Sequence, residues 1–133
     1  MKKNIILSLI GLILLTACKN NHPKPIIGGN KDEYGCLTSA GQTWSELKQS
    51  CIQVFNEGKR LNPIDHKENT ATISAFVLFN DDHSKAELFL PDEHNIILDK
   101  VSNQIYQKGE VKYDKKNGML YQKGVATYQK ERK

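Results

Sequence analysis

The chain has 133 residues, 38% of them hydrophobic, with 19 Lys and Arg against 15 Asp and Glu and a formal charge of +4. Lys2 and Lys3 stand directly before an apolar N-terminal run, so the remainder is close to charge balance and lacks the basic surface that a nucleic-acid binder needs. Beyond that run no segment could cross a membrane as a helix, and the length suits one small domain.

Lys2 and Lys3 followed by Ile5–Leu15 (IILSLIGLILL) read as the charged and apolar regions of a secretory leader, too short to span a bilayer. The run ends in Leu15-Thr16-Ala17-Cys18, which resembles the bacterial lipobox. There, small residues admit the peptidase and the Cys18 thiol takes a diacylglycerol. The alternative is a plain secretory signal with an accidental cysteine. A lipidated Cys18 would carry two or three acyl chains, enough for stable membrane anchoring. Lys19-Asn20 lacks the aspartate associated with inner-membrane retention, which favours the outer membrane of the cell envelope. The following KNNHPKPIIGGNK has no periodicity and reads as a tether. The expected organisation is therefore a lipoprotein signal peptide over 1–17, a lipidated flexible tether over 18–32 and a single small β-rich domain over 33–130.

With Cys18 committed to lipid, Cys36 and Cys51 remain as one pair in an oxidising compartment, and a disulfide between them is expected. Closing that loop would contribute roughly 3 kcal/mol in the chain-entropy model. Two buried free thiols are the alternative, and the spacing suits no zinc site.

Periodicity predicts one amphipathic helix over 44–57. Thr43 and Glu46 form a capping box, Trp44, Leu47, Cys51, Val54 and Phe55 share one face, and Gly58 is placed for a left-handed C-terminal cap before Pro63. Trp44 is expected to anchor the core. Strand grammar follows: Thr70–Phe79, then Lys85–Leu90 after a polar turn, then Asn95–Val101 after Pro91-Asp92-Glu93. The phrase Tyr-Gln-Lys-Gly occurs twice, in IYQKGEVKYD (105–114) and LYQKGVATYQ (120–129), and Asn117-Gly118 between them is a hairpin signal. The predicted class is α+β and mostly β: one N-terminal helix packed on a small antiparallel curved sheet or barrel of five to seven strands.

Catalytic grammar is absent: there is no nucleophile elbow, phosphate loop, HExxH or CxxC, so no catalytic residue, cofactor or metal is assigned and no enzyme is expected. Asp81-Asp82-His83 and Asp92-Glu93-His94 could bind a cation only if those turns met in space. Recognition is the better class. Tyr106, Tyr113, Tyr121 and Tyr128 with Lys108, Lys112, Lys115, Lys116 and Lys123 make the C-terminal third basic and tyrosine-rich, which suits an acidic protein cleft or a glycan. The plainer account is that Tyr builds strands and Lys protects exposed edges.

Two resemblances sharpen this. The block Gly35-Cys36, Ser39-Ala40-Gly41, Trp44-Ser45, Lys48, Cys51-Ile52 and Phe55, with SAFVLFNDDHSKAELFLPDEHNIIL after it, resembles small gram-negative envelope lipoproteins. KAELFLPDEHNIIL, Tyr113 and MLYQKGVATY are similar to the membrane-bound lysozyme inhibitor of the c-type, with Tyr121, Lys123 and Gly124 at its closing aromatic-x-Lys-Gly motif and Tyr in place of Trp. That resemblance implies a small antiparallel barrel whose motif lysine, here Lys123, enters the lysozyme cleft and meets its acidic catalytic residues. The serine that the family carries four residues before its tyrosine falls on Gly109, and the family's C-terminal cysteine is absent. The expectation is a non-enzymatic, lipid-anchored envelope protein that binds and inhibits a lytic enzyme through Lys123, Gly124, Tyr121, Tyr113 and Lys108. A structural or assembly lipoprotein docking on another envelope component, and a protease inhibitor, are the alternatives.

Overall fold

A computed structural model describes residues 30–65, 67 and 69–131. The leader, the lipobox with Cys18, most of the tether, His22 and His66 lie outside the described residues.

The chain forms a small N-terminal cap and a closed antiparallel barrel. The cap holds a short 3-10 turn at Thr38–Ala40, strands β1 (Thr43–Ser45) and β2 (Ser50–Ile52), and a single helical turn, α1 (Val54–Glu57). The barrel strands are β3 (Lys59–Pro63), β4 (Ala75–Phe79), β5 (Lys85–Phe89), β6 (Ile96–Ser102), β7 (Ile105–Lys108), β8 (Val111–Asp114), β9 (Met119–Gln122) and β10 (Val125–Lys130). They follow one another as a meander, and β10 pairs with β3 to close the ring and remove both edges. Mostly β character and the barrel agree with expectation, with eight strands in place of five to seven. Among the described residues no helix is long and apolar enough to cross a membrane.

Eight strands enclose a space that side chains can fill. Leu61, Val77, Leu88, Leu98, Leu120, Tyr106 and Tyr113 fill it, all nearly inaccessible to solvent. Strand alternation dictates this: Ala86 and Leu88 of β5 point inward, so Glu87 and Phe89 must point outward. Outward is nevertheless buried here, because the cap lies over β4 and β5. Ile52 of β2 packs with Leu78 and Phe89 in a second apolar cluster, flanked by Val54 and Phe76.

Of the predicted helix over 44–57 only the single turn Val54–Glu57 forms, and residues 43–52 are an antiparallel hairpin in register Thr43↔Ile52, Trp44↔Cys51, Ser45↔Ser50. Ser45, which helical spacing puts off the buried face, is wholly buried, while Phe55, on the expected buried face, is 53% exposed. The cause is tertiary. The Glu87 carboxylate accepts hydrogen bonds from Ser45 Oγ (2.5 Å), the Glu46 and Leu47 backbone N–H groups (2.9 and 3.3 Å) and Asn95 Nδ2 (3.1 Å). A helix through this segment would commit the Glu46 N–H to its Thr43 cap and the Leu47 N–H to its first ladder bond, and leave a buried carboxylate bare. Gly58 likewise has an ordinary extended backbone rather than the expected left-handed one. Its glycine is needed for closeness, since a Cβ there would lie 2.8 Å from the Val54 carbonyl oxygen.

Cys36 and Cys51 form the expected disulfide, tying the 30–42 loop to β2. Asn30–Asp32, assigned to the tether by composition, are bonded into this cap: Asn30 O accepts from Thr38, and Asp32 Oδ1 accepts from the N–H groups of Tyr34 and Cys36. The predicted strand Thr70–Phe79 is confined to Ala75–Phe79.

Replacing Glu87 by Ala is expected to cost about 2–4 kcal/mol by stranding buried donors, and Ser45→Ala about 1–2 kcal/mol. Urea unfolding of both variants checks this; equal stability of Glu87→Ala and wild type would show that the cap is held by its apolar contacts alone.

Candidate functional site

Each Tyr-Gln-Lys-Gly phrase is a complete hairpin, but the two turn at different places. In β7–β8 the pairs run Ile105↔Asp114 to Lys108↔Val111, leaving Gly109-Glu110 as the turn. In β9–β10 the innermost pair is Gln122↔Val125, leaving Lys123-Gly124. The turn has moved one residue along the phrase, and in a strand one residue exchanges the two faces. Tyr106 therefore points into the barrel opposite Tyr113, while its counterpart Tyr121 points outward. A register shift in β10 between Ala126 and Tyr128 restores the inward phase, and Tyr128 packs against the core.

The turn chemistry explains the slip. Gly109 alone has a positive φ (+56°) in the first turn, the pattern of type II′; Lys123 (+51°) and Gly124 (+77°) both do in the second, the pattern of type I′. Type I′ favours Asn at its first central position, and a lysine held left-handed there costs of order 1–2 kcal/mol. Five other non-glycine residues in the described region share this conformation. Asn69 and Asp92 are of tolerant types, and the side chains of Gln49, His83 and Gln104 each bond to a neighbour. Lys123 has neither advantage: it is exposed and its side chain forms no hydrogen bond or ion pair among the described residues.

The two turns abut at one end of the barrel, where the Lys123 N–H donates to Glu110 O at 3.0 Å. Lys108 ends β7 at this rim and is exposed. On the adjoining outer wall the Lys112 ammonium lies 4.5 Å from the Tyr121 ring centroid. Lys108, Lys123 and Gly124 thus share this rim with the exposed Glu110, and Lys112 and Tyr121 line the outer wall beside it. β9 stands four places from β5 in the ring, so Tyr121 faces away from the cap, while the rim itself shares its end of the barrel with the β5–β6 loop.

Tyr113, read from sequence as a partner contact, is not on that surface. It is 2% exposed, packed near Phe79 and Tyr106, and burial pushes its hydroxyl pKa up to about 12, with smaller contributions from Asp114 and Tyr106. The two acidic turns do not meet either: Asp81–His83 sits between β4 and β5, Asp92–His94 between β5 and β6, at opposite ends of the barrel. Among the described residues no group of three or more His, Cys, Asp and Glu side chains converges on a metal position.

No protein-family model, curated protein or solved structure matches the chain. The chemistry of this surface must therefore be taken from its own residues: three exposed or half-exposed ammonium groups, one polarisable ring, and no nucleophile paired with a base.

The titration of Tyr113 gives a test of its placement. A hydroxyl whose folded pKa lies above its unfolded value of about 10 favours the folded state below that value and loses this contribution as pH rises through 12. Stability is expected to fall by roughly 2–3 kcal/mol between about pH 10 and 12, and Tyr113→Phe to flatten that fall. Urea midpoints across this range measure it; an equal slope in both proteins would place the titration elsewhere.

Proposed function

We propose that this is a lipid-anchored, non-enzymatic protein of the outer membrane that binds and inhibits a lytic enzyme of the lysozyme type, with the Lys123–Gly124 turn as the inserting element. The observation that carries the reading is Lys123 itself. It occupies a left-handed turn position that disfavours lysine, and its side chain makes no hydrogen bond or ion pair among the described residues. A side chain held at such a cost and aimed at solvent is suited to meeting something outside the fold.

The surroundings support the same reading. A hairpin tip narrowed to two residues fits a cleft, and an ammonium group at its point complements paired carboxylates there. Lys108 and Lys112 extend the positive field that steers encounter, and Tyr121 offers rigid contact area beside them.

The test is the rate at which a c-type lysozyme clears a cell-wall suspension in the presence of excess mature protein. Inhibition is expected, with Lys123→Glu weakening it at least about tenfold and Lys108→Ala weakening it less. Unchanged clearing with wild-type protein would overturn the proposal. Retention of only endogenous membrane proteins from envelope extracts would favour an assembly role instead.

A further inference from the structure

A second surface lies where the cap meets the β5–β6 loop. A cleft of about 300 Å³ is walled there by Asp32, Glu33, Tyr34, Trp44, Glu46 and Glu93. Neither Lys nor Arg lines it, although the chain as a whole is net positive. Four carboxylates around two aromatic rings make it the complement of the lysine rim.

The rings are held in place by several independent devices. Tyr34 and Trp44 stack with centroids 5.1 Å apart and planes 7° from parallel. Cys36 lies two residues beyond Tyr34, and its disulfide partner Cys51 stands opposite Trp44 in the hairpin register, so one covalent link braces both rings. Trp44 Nε1 donates to Glu46 Oε1 at 3.0 Å, which fixes the indole plane and sets a carboxylate at its edge. Asn95 Nδ2 donates to the Trp44 carbonyl at 2.9 Å, joining the far wall to the hairpin. Yet the two rings themselves stay outside the core: Tyr34 is 53% exposed, and the chain's single tryptophan is only half-buried. Large rings usually do their stabilising work by burial, so rings fixed at a surface cleft are suited to a ligand.

We infer that this cleft binds an alkylammonium cation, held over the Tyr34–Trp44 pair and neutralised by Glu33 and Glu93. A cation over an aromatic face gains about 0.5–2 kcal/mol, and carboxylates at the rim raise its local concentration. Glu33 and Glu93 form no hydrogen bond or ion pair among the described residues and are free to take that role. The site shares no side chain with the lysine rim, so either can fail without the other.

Trp44, as the only tryptophan, reports on the cleft directly. Intrinsic fluorescence of the mature protein is titrated with spermidine and with pentalysine amide, using a neutral trisaccharide as control. Saturable change is expected with at least one cation, weakened at least about fivefold by about 0.5 M salt and by Glu33→Gln with Glu93→Gln. Tighter binding of pentalysine supports a peptide-borne ammonium, and tighter binding of spermidine a free polyamine. Lys123→Ala should leave the titration unchanged. Absence of saturation with both cations, equal affinity in a folded double Gln variant, or equal response to the trisaccharide would overturn the inference.

Discussion

One buried carboxylate organises the N-terminal third of the domain. Glu87 must face outward from the barrel because Ala86 and Leu88 on either side face in, and a bare carboxylate at that position would sit in water. It is instead fully buried, satisfied by a hydroxyl, two backbone N–H groups and an amide. Satisfying it requires the 43–52 segment to fold as a hairpin with its turn on the barrel wall. That placement carries Ile52 onto Leu78 and Phe89, sets Cys51 where Cys36 can reach it, and brings Trp44 to Tyr34 at the surface. Among the described residues no buried side-chain nitrogen or oxygen lacks a partner, so the polar cost of covering the wall is met in full.

The barrel end carrying the lysines follows from a subtler constraint. Two almost identical phrases fold into two hairpins whose turns differ by one residue, and the difference decides which tyrosine is core and which is surface. Tyr106 joins the interior and donates through its hydroxyl to the His83 carbonyl at 2.8 Å; Tyr121 carries a lysine over its ring. Repetition in sequence is thus not repetition of role. The two proposed surfaces, a basic rim and an acidic aromatic cleft, arise from different parts of the fold and have opposite charge. A protein with both can engage a carboxylate-bearing partner and an ammonium-bearing one through different side chains.

Much of the candidate rim was readable in advance. Lys108, Lys123, Gly124 and Tyr121 stand on one surface because their phrases are short, turn-forming and adjacent, and such local chemistry is what a sequence states most directly. Tyr113 was misplaced because tyrosine serves equally in cores and contacts, and only strand phase separates the two. The acid-lined cleft was invisible: Tyr34, Trp44 and Glu93 are brought together by a disulfide, a hairpin and a loop from three regions of the chain.

By itself the sequence determined the β-rich, antiparallel character, the turn at Asn117-Gly118 and the candidate pairing of Cys36 with Cys51, since strand alternation, turn residues and a lone cysteine pair all act locally or without competitors, while closure into eight strands rests on the β10–β3 pairing. The tertiary structure decided the cap. Helical spacing in 44–57 was genuine as a pattern, but its preference amounts to tenths of a kcal/mol per residue, whereas a stranded buried carboxylate costs several. Glu87, forty residues further along, therefore settled the conformation of that segment.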